Sequence, residues 1–140
     1  MTRALQLVLI AALTLTVPLA AQEPPSRPTI TEYAVEGRNP DGTAYTARAE
    51  MSERDGLVYL SFYSPDNQLA ALAVGVRDGP TMATIFQAGP NSVGLALYRA
   101  EGDQWLAQWF VIGEPGTGVE TLSPFDPKLH GAELGPKTPI

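Results

Sequence analysis

The sequence predicts an all-β fold: an eight-stranded antiparallel up-and-down meander that closes, or nearly closes, into a small barrel. Three observations carry that expectation. From Ile30 to Leu122, apolar runs alternate with turn signals roughly every 10 to 14 residues, the rhythm of consecutive short strands. The breaks have hairpin chemistry. Asn39-Pro40-Asp41-Gly42, Asp55-Gly56 and Asp78-Gly79-Pro80 each place glycine after aspartate, where a tight turn needs positive φ. Finally, no stretch combines the length and 3.6-residue period of an amphipathic helix. Residues 70–76 (AALAVGV) come nearest, but a glycine, two valines and flanking turns favour a strand.

Residues 1–21 read as a secretory signal peptide. Arg3 supplies the positive start, Ala4 to Val17 the apolar run, and Pro18-Leu19-Ala20-Ala21 the small residues for cleavage before Gln22. The alternative is a membrane anchor, but the run is short of the roughly 20 residues that span a bilayer. No basic cluster follows it, and no cysteine is present to carry a thioether lipid. The expected location is therefore exported, periplasmic or secreted, with no stable membrane span after signal cleavage. Without cysteine, stability must come from burial and sheet hydrogen bonds. The net charge of −6 comes from scattered acids, which argues against nucleic acid or an anionic membrane surface as partner.

The elements then follow in order. Residues 22–29 (QEPPSRPT) hold three prolines and form an extended tether. The first strand, Thr31 to Gly37, sets Tyr33 and Val35 against Glu32, Ala34 and Glu36. The second, Ala44 to Met51, sets Tyr45, Ala47, Ala49 and Met51 against Ala44, Thr46, Arg48 and Glu50. Both are half-buried strands with one wet side. Leu57 to Tyr63, Leu69 to Val76, Met82 to Ala88 and Val93 to Ala100 are the next four. The seventh, Trp105 to Ile112, aligns Trp105, Ala107, Trp109 and Val111 on one face, opposite Leu106, Phe110 and Ile112. It forms a hairpin with the sixth across Ala100-Glu101-Gly102-Asp103-Gln104. The fourth and seventh strands are apolar on both faces. One face fills the interior; the other needs covering by the C-terminal segment, a second copy in a homodimer, or a ligand. The eighth strand is Val119 to Leu122, and the barrel domain spans 30–122. Residues 123–140 form a proline-rich tail that Phe125 and Leu129 could pin to the barrel.

Eight strands with tight turns favour closure, because closure removes both exposed edges. An open or sandwich arrangement is the main alternative. An outer-membrane barrel is disfavoured by short strands and by charge on the outer faces of the first two.

The chemistry-bearing residues are few. His130 is the only histidine and lies in the tail; no His/Cys cluster has metal-ligand spacing, so no metal and no cofactor are expected. A Ser-His-Asp triad would need a rigid base that such a tail does not offer. Glu32, Glu36, Glu50 and Glu120 are candidate carboxylates for acid–base work, and each is assigned to the solvent face. Gly116-Thr117-Gly118 lacks the strand-to-helix context of a phosphate loop, and Asp41, Asp55 and Asp78 are isolated turn residues. No catalytic residue is assigned. What remains is aromatic: Trp105, Trp109, Tyr33, Tyr45 and Tyr98 are the candidate ligand-binding residues. Either they line the mouth of a barrel that holds a small apolar or glycan-like ligand, or they simply fill an interior about as wide as its own side chains.

Tyr33-x-Val35-x-Gly37, Asn39-Pro40-Asp41-Gly42-x-x-Tyr45, Gly94-Leu95-Ala96-Leu97-Tyr98 and Trp105-x-x-x-Trp109 together resemble small exported bacterial β proteins of uncharacterised function, some of which carry a fibronectin-binding label. The likeness covers about residues 31 to 122, with Ala47 where those proteins tend to have glycine and Phe62 where they tend to have tryptophan. The same features are similar to avidin-like and other calycin barrels. The resemblance implies a barrel-like domain without known catalytic residues. The expected role is thus non-enzymatic binding of a small ligand or an extracellular protein; a surface or matrix adhesion module is the alternative, and an enzyme the remote third.

Overall fold

The computed structural model describes residues 27–130. The stretch read as a signal peptide, most of the stretch read as a tether and the end of the tail lie outside the described residues. Eight strands pair in sequence order and close: β1 (Ile30–Arg38), β2 (Ala44–Arg54), β3 (Leu57–Tyr63), β4 (Leu69–Asp78), β5 (Thr81–Gln87), β6 (Val93–Glu101), β7 (Gln104–Val111) and β8 (Gly118–Pro124). Closure comes from β1 pairing antiparallel with β8, from Tyr33 opposite Pro124 to Arg38 opposite Val119. The meander expected from the turn rhythm is the observed fold. β3 has the expected bounds, β5 and β7 start and end one residue earlier, the other strands extend beyond theirs, and β8 takes Ser123 and Pro124 from the stretch read as tail.

The two ends of the barrel differ. Asp55-Gly56, Gly79-Pro80 and Gly102-Asp103 make the turns at one end, where the chain also enters and leaves the sheet. Asp55 and Gly56 both have positive φ (54° and 77°), the signature of a two-residue type I′ turn. At the other end, residues 39–43, 64–68, 88–92 and 112–117 form longer loops.

The interior differs in the same sense. Toward the short-turn end it is packed by Val35, Met51, Val58, Leu60, Met82, Trp105 and Leu122, all nearly inaccessible. Each such side chain stabilises the fold by about 1.5–3 kcal/mol relative to exposure. Arg77 closes this end: its guanidinium lies 5.0 Å from the Trp105 ring centroid and pairs with Glu53 at 2.8 Å. Toward the long-loop end the inward positions are instead Ala47, Ala71 and Ala96, with Phe62, Phe86 and Trp109 around them.

Outside, β1 and β2 carry Glu32, Glu36, Arg38 and Glu50. Arg48 belongs to this outer face yet is buried, because the 64–68 loop folds over it. It pairs with Glu32 at 3.5 Å and Glu50 at 2.5 Å, bonds Asn67, and lies 4.4 Å from the Tyr63 ring centroid. The expected wet face of β2 is thus wet only in part. Across β4 to β7, by contrast, Val74, Ile85, Leu95 and Phe110 stand directly opposite one another in an apolar row. Ile85, Leu95 and Phe110 are exposed. The described part of the tail does not cover this row. Phe125 continues the β8 side of the barrel, its N–H donating to the Glu32 carbonyl at 3.1 Å, and the single turn α1 (Pro127–His130) follows it.

Glycines admit close approaches inside the barrel. The Trp109 ring lies over Gly118, whereas Gly75 faces backbone, the Ala83 carbonyl and Thr84 Cα. The ring can move at the expense of its contacts; a paired strand cannot. Gly75→Ala should therefore cost about 2–3 kcal/mol and Gly118→Ala less, read as shifts in the urea midpoint. An equal or reversed order would show that strand coiling at Gly75 is not constrained.

Candidate functional site

The small inward residues of the long-loop end leave a cup of about 500 Å3. Phe62, Phe86, Trp109 and Val111 wall it, Ala47, Ala71 and Ala96 give it width, and Asn39, Ser64, Pro65 and Ser92 stand at the rim. Trp109 meets Phe86 and Tyr45 edge to face, at centroid distances of 6.0 and 6.4 Å. Such contacts hold the rings in fixed orientation. A larger depression of about 980 Å3 is an open trough on the outer sheet surface, bordered by outward side chains such as Arg38, Val76, Leu97 and Val119. Its lining also takes in Tyr45, Tyr98 and Glu120, which it shares with the cup, and its other charged residues, Glu36, Arg38, Asp78 and Arg99, are exposed.

The floor of the cup is polar. Trp109 Nε1 donates to the Tyr45 hydroxyl at 3.1 Å, and that hydroxyl donates to Glu120 Oε2 at 2.7 Å. The Tyr98 hydroxyl donates to Glu120 Oε1 at 3.0 Å. Indole N–H can only donate, so it fixes the direction of the chain: Trp109 to Tyr45 to Glu120. Beside Tyr98, the buried Thr84 has its Oγ1 near the phenol without meeting the geometry of a full hydrogen bond. Four strands (β2, β6, β7 and β8) thus meet across the lumen through one carboxylate.

Burial pushes the Glu120 carboxyl above its ordinary range, opposed in part by the two tyrosine hydrogen bonds. The Tyr45 and Tyr98 phenols are raised as well, by burial first and by the negative charge of Glu120 next. Both shifts favour the protonated phenols, which act as donors.

Of the five aromatic residues singled out from sequence, the structure brings Tyr45, Tyr98 and Trp109 together in the cup. Tyr33 and Trp105 point inward too, but they belong to the packed half, where both are nearly inaccessible. Glu120 corrects the sequence reading. Its charge suggests solvent, yet it is buried inside the barrel, while its neighbours Val119 and Thr121 face out. The signal was parity: the alternation that puts Leu122 inside puts Glu120 inside as well. With Gly118 left out of the eighth strand, that phase was easy to misjudge. The other three carboxylates stand on the outer face of β1 and β2, apart from the cup. His130 sits on the tail beside Phe125, its Nδ1 accepting from Asp126 N–H at 3.0 Å. Among the described residues no group of three or more His, Cys, Asp or Glu is placed to hold a metal ion.

Fold and site together define a class: a closed eight-stranded antiparallel meander barrel, solid at one end and hollowed at the other over a buried carboxylate. No family model, no curated protein and no solved structure matches the chain. No helix among the described residues is long and apolar enough to cross a membrane.

Linkage gives the sign of a pH effect. Glu120 has a raised value when folded and an ordinary one when unfolded, so its share of stability is complete below the unfolded value. It is lost as pH rises through the folded value. Urea midpoints of wild type and Glu120→Gln, compared from about pH 4 to about pH 8, should converge at the acid end and separate in favour of the variant at the basic end. A difference independent of pH would mean that Glu120 titrates like an exposed glutamate.

Proposed function

We propose that this chain is a non-enzymatic exported binding domain that holds a small apolar ligand in the cup. The single observation supporting this is the hollow at the long-loop end of the interior, beneath loops, with aromatic walls and a focused polar floor. Its volume lies within the roughly 300–1,000 Å3 common for small-molecule sites. An apolar body suits the walls better than a glycan, since alanine, phenylalanine and valine offer few partners for a ring of hydroxyls. With aromatics stacked edge to face, the flat ring surface that a sugar would lie on is also limited.

Tryptophan fluorescence tests the reading, because Trp109 lines the cup and Trp105 does not. Small apolar probes should shift the emission saturably. Trp109→Ala should abolish the shift, and Ala96→Leu, which fills the cup from β6, should abolish it while raising stability by about 1 kcal/mol. An unchanged response in a folded Ala96→Leu protein would place the ligand elsewhere.

A second reading is favoured by the outer row Val74, Ile85, Leu95 and Phe110. An exposed apolar sheet face suits association with an extracellular protein, as an adhesion module would need, or with a second copy of the chain. Phe110→Glu on β7 should then weaken saturable binding to immobilised matrix protein, or convert a dimer to a monomer in analytical ultracentrifugation. A chain that is monomeric at high concentration and does not bind matrix would remove this reading.

A further inference from the structure

We propose that the occupant of the cup is a small organic cation: an ammonium-type head seated on Glu120, carried on an apolar body that fills the aromatic walls. This inference rests on the reading of the cup as a ligand site and adds the chemistry of what enters it.

The hydrogen-bond directions at the floor support it. Both phenols give their protons to Glu120, and Trp109 gives its proton to Tyr45, so the three aromatic donors of the floor are already committed, and the Thr84 hydroxyl beside Tyr98 lies outside the lining of the cup. The carboxylate oxygens, each with more than one acceptor site, are what the floor still offers. A complementary ligand group must therefore donate. Charge narrows the class further. Glu120 is the one acidic or basic side chain that lines the cup, and none of the ion pairs among the described residues involves it. Arg48 and Arg77, the nearest candidates by burial and parity, are paired on the outer face and at the opposite end. A buried carboxylate without a cation is costly, and a ligand that supplies one offsets that cost.

The surroundings agree. The rings of Tyr45, Tyr98 and Trp109 line the same cup as the acid, and aromatic rings attract ammonium groups at close range. The chain's net charge of −6 favours the approach of cations over anions. An anionic ligand would meet Glu120 with like charge and no compensating base. A purely hydrocarbon ligand would seal the carboxylate away from water and leave it unpaired.

Ionisation of the floor depends on few groups. β2 presents Tyr45 and β6 presents Tyr98, both held protonated. β1 presents Gly37, β7 Ala107 and Trp109, β5 Thr84, and β3 and β4 Phe62 and Ala71, none of which titrates. Glu120 is thus the group that sets the pH response of the site. Because burial raises its carboxyl, cation binding should weaken as pH falls and Glu120 takes up its proton.

The test uses the exported chain and three probes of matched shape: 2-phenylethylamine, 2-phenylethanol and 3-phenylpropionate, titrated by calorimetry. At about pH 8, where the amine is still largely charged, it should bind about 10-fold or more tighter than the alcohol, and the carboxylate weakest of all. That preference should shrink toward unity at about pH 4 in the wild type and should be absent at every pH in Glu120→Gln. The wild-type pH series gives the answer even if the variant does not fold. Equal binding of amine and alcohol, or tighter binding of the carboxylate, would overturn the cation inference while leaving the cup a ligand site. No binding of any probe, with Trp109 fluorescence unmoved, would overturn both.

Discussion

The carboxylate of Glu120 is held out of water in the middle of a barrel and satisfied by two tyrosine hydroxyls alone. Most of what is distinctive here depends on that contact. Tyr45 on β2 and Tyr98 on β6 reach it from across the lumen, and Trp109 on β7 is tied to it through Tyr45. Replace the acid by leucine and two phenol tips in the interior lose their common acceptor. Keep it, and the charge must be tolerated where the dielectric is low. A structure built only for stability would avoid that conflict. Its presence at the bottom of a cup, rather than in the solid half, is what makes the cup a candidate site and not merely a packing flaw.

The two halves of the barrel follow from different physical needs. Two-residue turns, large aliphatic side chains and the Arg77–Glu53 pair over Trp105 close one end and supply the burial that a cysteine-free chain requires. At the other end, alanines replace the aliphatics and longer loops replace the tight turns. Neither substitution alone would leave a usable space. Alanines under short turns would let the end collapse, and long loops over leucines would cover a filled core. The pattern places the functional opening where the loops are, with rigid strands beneath to position the floor.

Much of the fold was legible in the sequence because alternation and turn chemistry are local. Gly56 and Gly79 announce their turns, and Tyr33 with Val35, or Tyr45 with Met51, declare an inward face within a single strand. Trp105 and Trp109 were likewise placed on one side correctly. What could not be read was depth along the barrel. Two tryptophans on the same face are indistinguishable in sequence, yet one is sealed under Arg77 and the other lines a cup, a difference set by register across strands far apart in the chain. Glu120 was misread for a related reason. A charged residue on a short strand looks solvated until its neighbours across the lumen are known, and those are Tyr45 and Tyr98, 75 and 22 residues away. Arg48 shows the converse, an outer-face charge covered by a loop whose path the sequence does not specify.

A buried carboxylate bracketed by phenols can be observed directly. In a pH titration followed by carbon NMR at the Glu120 side-chain carboxyl, the resonance should move at a pH above that of the exposed glutamates, with the Trp109 indole N–H shifting in step through Tyr45. A Glu120 signal that moves in the ordinary carboxylate range, leaving the Trp109 indole unmoved, would contradict the interior placement of the acid and everything built on it.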